Sequence, residues 1–318
     1  MAATEFDLIR HYLTGLGARR DDVRLGVGDD AALLQAPSGQ CLAMSTDTLV
    51  AGVHFPEDAP VADIGHKALA VNLSDLAAMG AEPAWATLSL TLPQPDAAWL
   101  EAFAGGLDAL ARAHDVALVG GDLCRGPLSM TLQITGFVPA DKALRRAGAR
   151  VGDHVVVSGT LGDAALGLRY WQAGEQASDD QRALAARLHR PTPRVALGRG
   201  LRGLASACID LSDGLVSDLD HLLTASGVGA SLNEASLPVS DAARRVAGVT
   251  AARQAALTGG DDYELCFTVP DWAMPALSSV AADTGSRLSV IGRVVSGSGI
   301  CLADGRSLPA EASGYRHF

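Results

Sequence analysis

Two adjacent carboxylates on a glycine turn, Gly28-Asp29-Asp30-Ala31-Ala32, place the first constraint on what this chain can become. Glycine lets the backbone bend sharply and lie close to a neighbour, while paired aspartates repel unless a cation or an array of donors stands between them. The theme recurs in Ser45-Thr46-Asp47, Asn72-Leu73-Ser74-Asp75, Gly120-Gly121-Asp122, Asp210-Leu211-Ser212-Asp213-Gly214 and Gly259-Gly260-Asp261-Asp262. Any one of these is ordinarily a turn or a helix cap. Together they point to one site assembled from distant segments.

Oxygen ligands without accompanying histidine or cysteine pairs suit Mg²⁺ or Ca²⁺, not zinc, copper or haem iron. No D-x-D-x-D-G calcium loop occurs, and the carboxylates come from separate segments, as where Mg²⁺ is shared with substrate phosphates. The chain also lacks G-x-x-x-x-G-K-[ST], the protein-kinase H-R-D and D-F-G pair, and G-x-S-x-G. Gly198-Arg199-Gly200-Leu201-Arg202-Gly203 spells G-x-G-x-x-G but trails a helical pattern instead of joining strand to helix, so it is read as a decoy.

With 318 residues the chain exceeds one core, and two domains of about 150 residues are expected. Hydrophobic residues make up 48% and charged residues 19%, which excludes disorder. A net charge of −11 argues against a nucleic-acid partner. The five cysteines (Cys41, Cys124, Cys208, Cys266 and Cys301) are scattered without a C-x-x-C pair, so neither a disulfide framework nor a zinc site is indicated. No leader pattern and no apolar run of roughly 18 residues is present, so the expectation is a cytoplasmic protein without membrane contact.

Along the chain, Thr4-x-x-Asp7 with Phe6, Ile9, Leu13 and Leu16 predicts an opening amphipathic helix with a capping box. Short strands are expected at 31–34 and 41–44 around the Pro37-Ser38-Gly39 turn, with Ser45-Thr46-Asp47 where the second strand ends. Helices are predicted over 63–79, stopped by Gly80, and 96–114; strands over 87–92, 116–119 and 129–138 complete a mixed α+β domain. The basic cluster Lys142, Arg145, Arg146 and Arg150 marks the junction, read either as a solvated linker or, at Arg146, as a clamp for phosphate oxygens. The second half is read as strand 154–157 entering a helix through a glycine turn, a polar loop at 172–182, and a helix from Val195. A strand at 207–209 then delivers Asp210, Ser212 or Asp213 caps a helix, and strands follow at 266–269 and 288–295.

In this order the motifs resemble the thiamine-monophosphate kinase family, within the superfamily of ATP-dependent synthetases related to aminoimidazole ribonucleotide synthetase. The carriers are the Gly28 turn, Ser45-Thr46-Asp47 with Val53-His54-Phe55, and Asn72-Leu73-Ser74-Asp75-Leu76-Ala77-Ala78-Met79-Gly80. Leu118-Val119-Gly120-Gly121-Asp122, Asp210-Leu211-Ser212-Asp213-Gly214-Leu215, Gly259-Gly260-Asp261-Asp262-Tyr263-Glu264 and the terminal Gly-Tyr-x-His-Phe complete the set. The likeness runs from the first helix to the last residue.

The resemblance implies an α/β (α+β) fold: an N-terminal ATP- and Mg-binding domain at 1–140, dimerising through its mixed sheet into a barrel, and a C-terminal α/β domain at 150–318. It implies transfer of a phosphoryl group from ATP to thiamine monophosphate, giving thiamine diphosphate, the last step of making that coenzyme. By position it assigns Asp30, Ser45, Thr46, Asp47, Asp75, Asp122, Asp210 and Asp213 to several Mg²⁺ ions, Gly121, Asp122, Arg146 and Ser212 to ATP, and His54, Asp261 and Tyr315 to thiamine monophosphate. Asp261 stands where the family usually has Glu, and Leu123-Cys124 where it has two threonines. A phosphate monoester, with a second pKa near ~6, is already nucleophilic at neutral pH, so no general base is expected; Arg146 would stabilise charge. Selenophosphate synthetases and carbamoyl-dehydrating relatives are disfavoured, because no cysteine precedes Cys41 and the chain ends in Phe318. A Mg-nucleotide regulatory module without turnover is the rival of a different class.

Overall fold

Residues 4–174 and 178–304 are described by the computed structural model, and they fall into two units. The first holds the described residues up to Leu76 together with Ala81–Asp141; the second holds Ala77–Gly80 and those from Lys142 onward. Tyr315 lies outside the described residues.

The first unit runs α1 (Glu5–Leu8), β1 (Val23–Leu25), β2 (Leu33–Leu34), β3 (Gln40–Val50), α2 (Val61–Ala78), β4 (Glu82–Leu92), α3 (Ala97–Ala113), β5 (Ala117–Arg125) and β6 (Ser129–Pro139). Its main sheet has the order β3-β6-β4-β5; β5 is parallel to β4 and the other pairs are antiparallel. Side chains alternate across such a sheet, so one face carries Ala43, Leu49, Ile134, Leu132, Leu88 and Leu90, all buried. A Cβ on Gly136, in the same row as Ala43, would meet Leu76 of α2 at 2.9 Å, which identifies this as the face covered by α2. The opposite face leaves Leu42 and Met44 exposed at 50% and 64%. At one end of that open face Trp85 and Phe137 pack edge to face under Val23 and Ala32. Trp85 Nε1 donates to Asp22 at 2.9 Å, anchoring there the β1–β2 ribbon that carries Asp29 and Asp30.

The second unit runs β7 (His154–Ser158), α4 (Asp163–Ala173), α5 (Asp179–His189), α6 (Val195–Gly200), β8 (Ala207–Asp210), α7 (Leu215–Ser226), β9 (Gly229–Leu232), α8 (Asp241–Ala247), α9 (Val249–Thr258), β10 (Leu265–Val269), α10 (Met274–Thr284), β11 (Leu288–Val295) and β12 (Gly299–Leu302). Its sheet has the order β12-β9-β11-β7-β10-β8, with only the β12–β9 pair parallel among the described strands. Val155, Val157, Ile209, Cys266 and Ile291 from the strands meet Leu166, Leu184, Leu219, Leu222 and Ala256 from the helices in one core.

The mixed α/β class and the two-unit division are observed, and several local expectations are corrected. Residues 31–34 and 41–44 do not pair with each other: Leu33 and Leu34 pair with β1, while β3 pairs with β6 along its whole length. Ser45-Thr46-Asp47 lies mid-strand, because the threonines on either side of Asp47 suit a pleated surface and Thr48 bonds Thr131 across it at 2.8 Å. Gly120-Gly121-Asp122 and Leu123-Cys124 likewise sit inside β5 and not in a loop. The opening helix has its Thr4–Asp7 capping box, but it widens into a π turn at Ile9–Leu13 and leaves Phe6 72% exposed. Of the polar stretch at 172–182, residues 172–173 belong to α4 and 179–182 to α5, which a Ser178–Gln181 capping box opens. Gly198-Arg199-Gly200 ends α6 and joins no strand to a helix.

Helices α2 and α3 cross at glycines. A Cβ on Gly106 would lie 1.8 Å from the carbonyl oxygen of Ala62, and one on Gly65 2.1 Å from that of Phe103, whereas Gly105 has open space around it. Substituting Gly105→Ala should therefore stabilise the chain by about 0.5–1 kcal/mol through helix propensity. Gly106→Ala should destabilise it by about 1–3 kcal/mol despite the same propensity gain, because the backbones must part. Urea denaturation of the two variants measures the opposite signs.

Candidate active site

On β3 the odd residues face α2, and there the Ser45 hydroxyl donates to the Asp75 carboxylate. Asp47, two residues on, projects from the same face. Asn72, one turn before Asp75, is fully buried and uses its Nδ2 on Ala68 O at 3.1 Å, while its Oδ1 has no protein partner. Asp122 is placed differently. It stands in the row Thr48–Thr131–Ser89–Asp122, on the open face, and Thr46 occupies the neighbouring row of that face with Gln133 and Thr87. β3 and β5 are the two edges of the sheet, so Asp47 and Asp122 lie on opposite faces and about 14 Å apart, three strand spacings. One chain does not bring Asp122 to Asp47 and Asp75. Among the described residues no three His, Cys, Asp or Glu side chains are grouped to hold a metal ion.

Asp29 and Asp30 are exposed on the turn between β1 and β2, where Asp30 N donates to Asp29 Oδ1 at 2.8 Å. Gly121 is explained by its own sheet: at φ +147° a Cβ there would sit 1.8 Å from Leu88 O of β4. His54 follows β3 in a loop tied back to it, since Val50 N donates to His54 Nδ1 at 3.0 Å. That bond makes Nε2 the protonated nitrogen of the neutral ring. Lys67, 2% exposed on α2, donates to the His54 carbonyl at 3.2 Å and fixes the loop from beneath.

In the second unit β8 delivers Asp210, only 6% exposed, at the edge of the sheet. Neither Ser212 nor Asp213 caps α7. Gly214 holds the cap position at φ +112° without a side-chain bond. The donors go instead to Asp218 inside the helix, whose Oδ2 accepts from the backbone N–H groups of Ser212, Asp213 and Gly214 at 3.0, 3.0 and 3.2 Å. Burial pushes the Asp218 carboxyl up to about 7 in spite of those three donors.

The glycine-aspartate turn at 259–262 lies against this one. Asp261 N donates to Ser212 O at 2.9 Å and Tyr263 N to Leu211 O at 2.8 Å, with Asp261 and Tyr263 in the left-handed region at φ +68° and +48°. The Tyr263 hydroxyl donates to Asp261 Oδ1 at 3.2 Å. Asp262 turns inward: its Oδ2 accepts from Gly162 N at 2.7 Å, its Oδ1 has no protein partner, and burial holds its carboxyl well above the usual range. Glu264, fully buried, accepts from Ser158 Oγ at 2.5 Å, Arg187 Nη2 at 2.7 Å, and Arg194 Nε and Nη2 at 2.6 and 2.5 Å. Burial works against the Arg194 charge, but its bonds and attraction to Glu264 prevail and raise its pKa.

Arg146 is exposed, and its carbonyl accepts from Ser226 Oγ at 3.0 Å. Sequence reading missed Asp218, Lys67, Arg187 and Arg194. The first had a weak signal, an acid in the first turn of a helix whose entry loop is rich in donors; the arginines had none, Arg187 lying in α5 and Arg194 just before α6 with no local mark of the Glu264 they both reach.

Residues 28–138 match the family model described as AIR synthase related protein, N-terminal domain, and 150–303 the corresponding C-terminal domain. The chain is 51% identical to the thiamine-monophosphate kinase of Salmonella typhimurium, covering 100% of this chain and 99% of that one, and equally to that of Escherichia coli K12. Among solved structures, the thiamine-monophosphate kinase of Stenotrophomonas maltophilia K279a superposes with a TM-score of 0.87 at 51% identity, over 91% of this chain and 93% of that one. AaThiL complexed with AMPPCP and TMP superposes with a TM-score of 0.80 at 32% identity, over 89% of each chain.

The buried cluster yields a stability test. Replacing Glu264 by Gln leaves two guanidinium groups facing a neutral amide, and should cost on the order of 3 kcal/mol. Chemical denaturation of Glu264→Gln against the parent measures it; a loss below ~1 kcal/mol would contradict the role given to the ion cluster.

Proposed function

The chain belongs to the thiamine-monophosphate kinase family, and from that membership we infer that it transfers the γ-phosphoryl group of ATP to thiamine monophosphate, yielding thiamine diphosphate and ADP. The observation that carries this is full-length identity of 51% to two such kinases. A relative of the same fold with AMPPCP and TMP bound supports the pair of substrates.

The chemical difficulty is bringing two polyanions together. The acceptor is a phosphate monoester, largely dianionic at neutral pH, so the chain need only orient it and neutralise charge. Mg²⁺, when bound, would supply positive charge that offsets the negative charge of the phosphates during transfer. The donor set fits such an ion in kind, being carboxylate and hydroxyl oxygen throughout. It fits in number as well, because Mg²⁺ bound with phosphates takes one or two protein carboxylates and keeps waters. We divide Asp30, Ser45, Thr46, Asp47, Asp75, Asp122, Asp210 and Asp213 among several such ions.

Asp75 is the strongest of these, held by Ser45 from the neighbouring strand. We assign Gly121, Asp122, Arg146 and Ser212 to ATP. By resemblance we assign His54, Asp261 and Tyr315 to thiamine monophosphate. Asp122 cannot join Asp47 and Asp75 within one chain, so we place a second copy against the open face with its exposed Leu42 and Met44. Among the described residues no helix is long and apolar enough to cross a membrane, and we place the activity in the cytoplasm.

Incubation with ATP, Mg²⁺ and thiamine monophosphate should produce thiamine diphosphate, and a chelator should abolish it; a nucleotide-binding regulator would produce none. Asp75→Asn keeps the acceptor for Ser45 but loses the charge. Its turnover should fall by two orders of magnitude or more, about 3 kcal/mol, with the melting temperature near that of the parent. Near-normal turnover in this variant would refute the metal role of Asp75.

A further inference from the structure

We propose that Asp218 is a positioning residue of the phosphoryl-transfer site, its buried carboxylate fixing the 212–214 turn and, through that turn, the backbone that presents Asp261. The inference rests on the kinase reading above and adds a residue to which neither motif nor resemblance gives a role. Asp218 is 4% exposed, and a single oxygen gathers three consecutive backbone N–H groups. A helix cap satisfies one or two such donors; three on one oxygen fold the preceding turn inward and leave the Asp213 and Ser212 side chains on its outer side, both half-buried.

The same turn is interlocked with the second one. Ser212 O and Leu211 O accept from Asp261 N and Tyr263 N, and Leu211 N donates to Glu264 O at 2.9 Å. Glycines make the contact tight, since a Cβ on Gly260 would stand 2.6 Å from Ser212 O and one on Gly214 2.9 Å from Thr258 O. Movement of 212–214 therefore displaces 260–263. Asp218 acts through the two turns, its Oδ2 held by the 212–214 backbone.

The test compares Asp218→Ala and Asp218→Asn with the parent by three readouts: amide hydrogen exchange of 211–214 and 260–264, Mn²⁺ affinity in the presence of a non-hydrolysable ATP analogue by electron paramagnetic resonance, and the split between KM and kcat for thiamine monophosphate. Asp218→Ala should speed exchange in both segments, weaken Mn²⁺ about tenfold and raise KM by a similar factor, with kcat changed less than about threefold. Asp218→Asn, whose amide oxygen still accepts, should fall between the two and serves alone if the alanine variant does not fold. Faster exchange confined to 211–214, or unchanged Mn²⁺ affinity and KM, would overturn the proposal. A parent enzyme that makes no thiamine diphosphate refutes the kinase reading, while the exchange and Mn²⁺ arms still decide the coupling of the two turns.

Discussion

A carboxylate withdrawn from water has to be given donors, and the second unit is organised around supplying them. Glu264 receives two guanidinium groups and a serine hydroxyl, Asp218 three backbone N–H groups, Asp163 the hydroxyls of Thr160 and Ser240. These anchors sit directly behind the turns that hold Asp213 and Asp261 toward solvent. Asp213 and Asp261 themselves are half-buried, and Asp261 accepts from the Tyr263 hydroxyl. Part of the net charge of −11 thus goes into building the fold.

The first unit solves a different problem with the period of a strand. Alternation places Ser45 and Asp47 against α2 and sends Thr46 and Asp122 to the uncovered face, so two sets of polar groups share one sheet without meeting. The second copy proposed above would cover the face that carries Thr46 and Asp122. The exposed Leu42 and Met44 beside Thr46 give that face the apolar character that an association surface needs.

How much of this was legible beforehand depends on the range of the interaction. The helix over 61–78 was visible from its apolar spacing and Gly80, the strands over 265–269 and 288–295 from their β-branched runs, and the capping box at Thr4 from three residues. Strand β3 was cut short because a polar middle reads as a strand end when the partner, Thr131 and its neighbours some eighty residues on, is not in view. Asp218 escaped for the opposite reason: its partners are close, but they are backbone groups, which leave no letter in the sequence. Of the acids expected to gather, Asp47 and Asp122 stand on opposite faces of one sheet, because letters alone do not say which side of a strand a residue occupies.

Asp261 occupies left-handed backbone at φ +68°. Aspartate tolerates that conformation better than longer acids do, because its short side chain can bond locally, here to the hydroxyl of Tyr263. The family's usual glutamate would extend one methylene further from a less accommodating backbone. This chain thus exchanges reach for rigidity, and on the proposed reading a cationic ring meeting the Asp261 carboxylate would have to come closer to the protein than one meeting a glutamate.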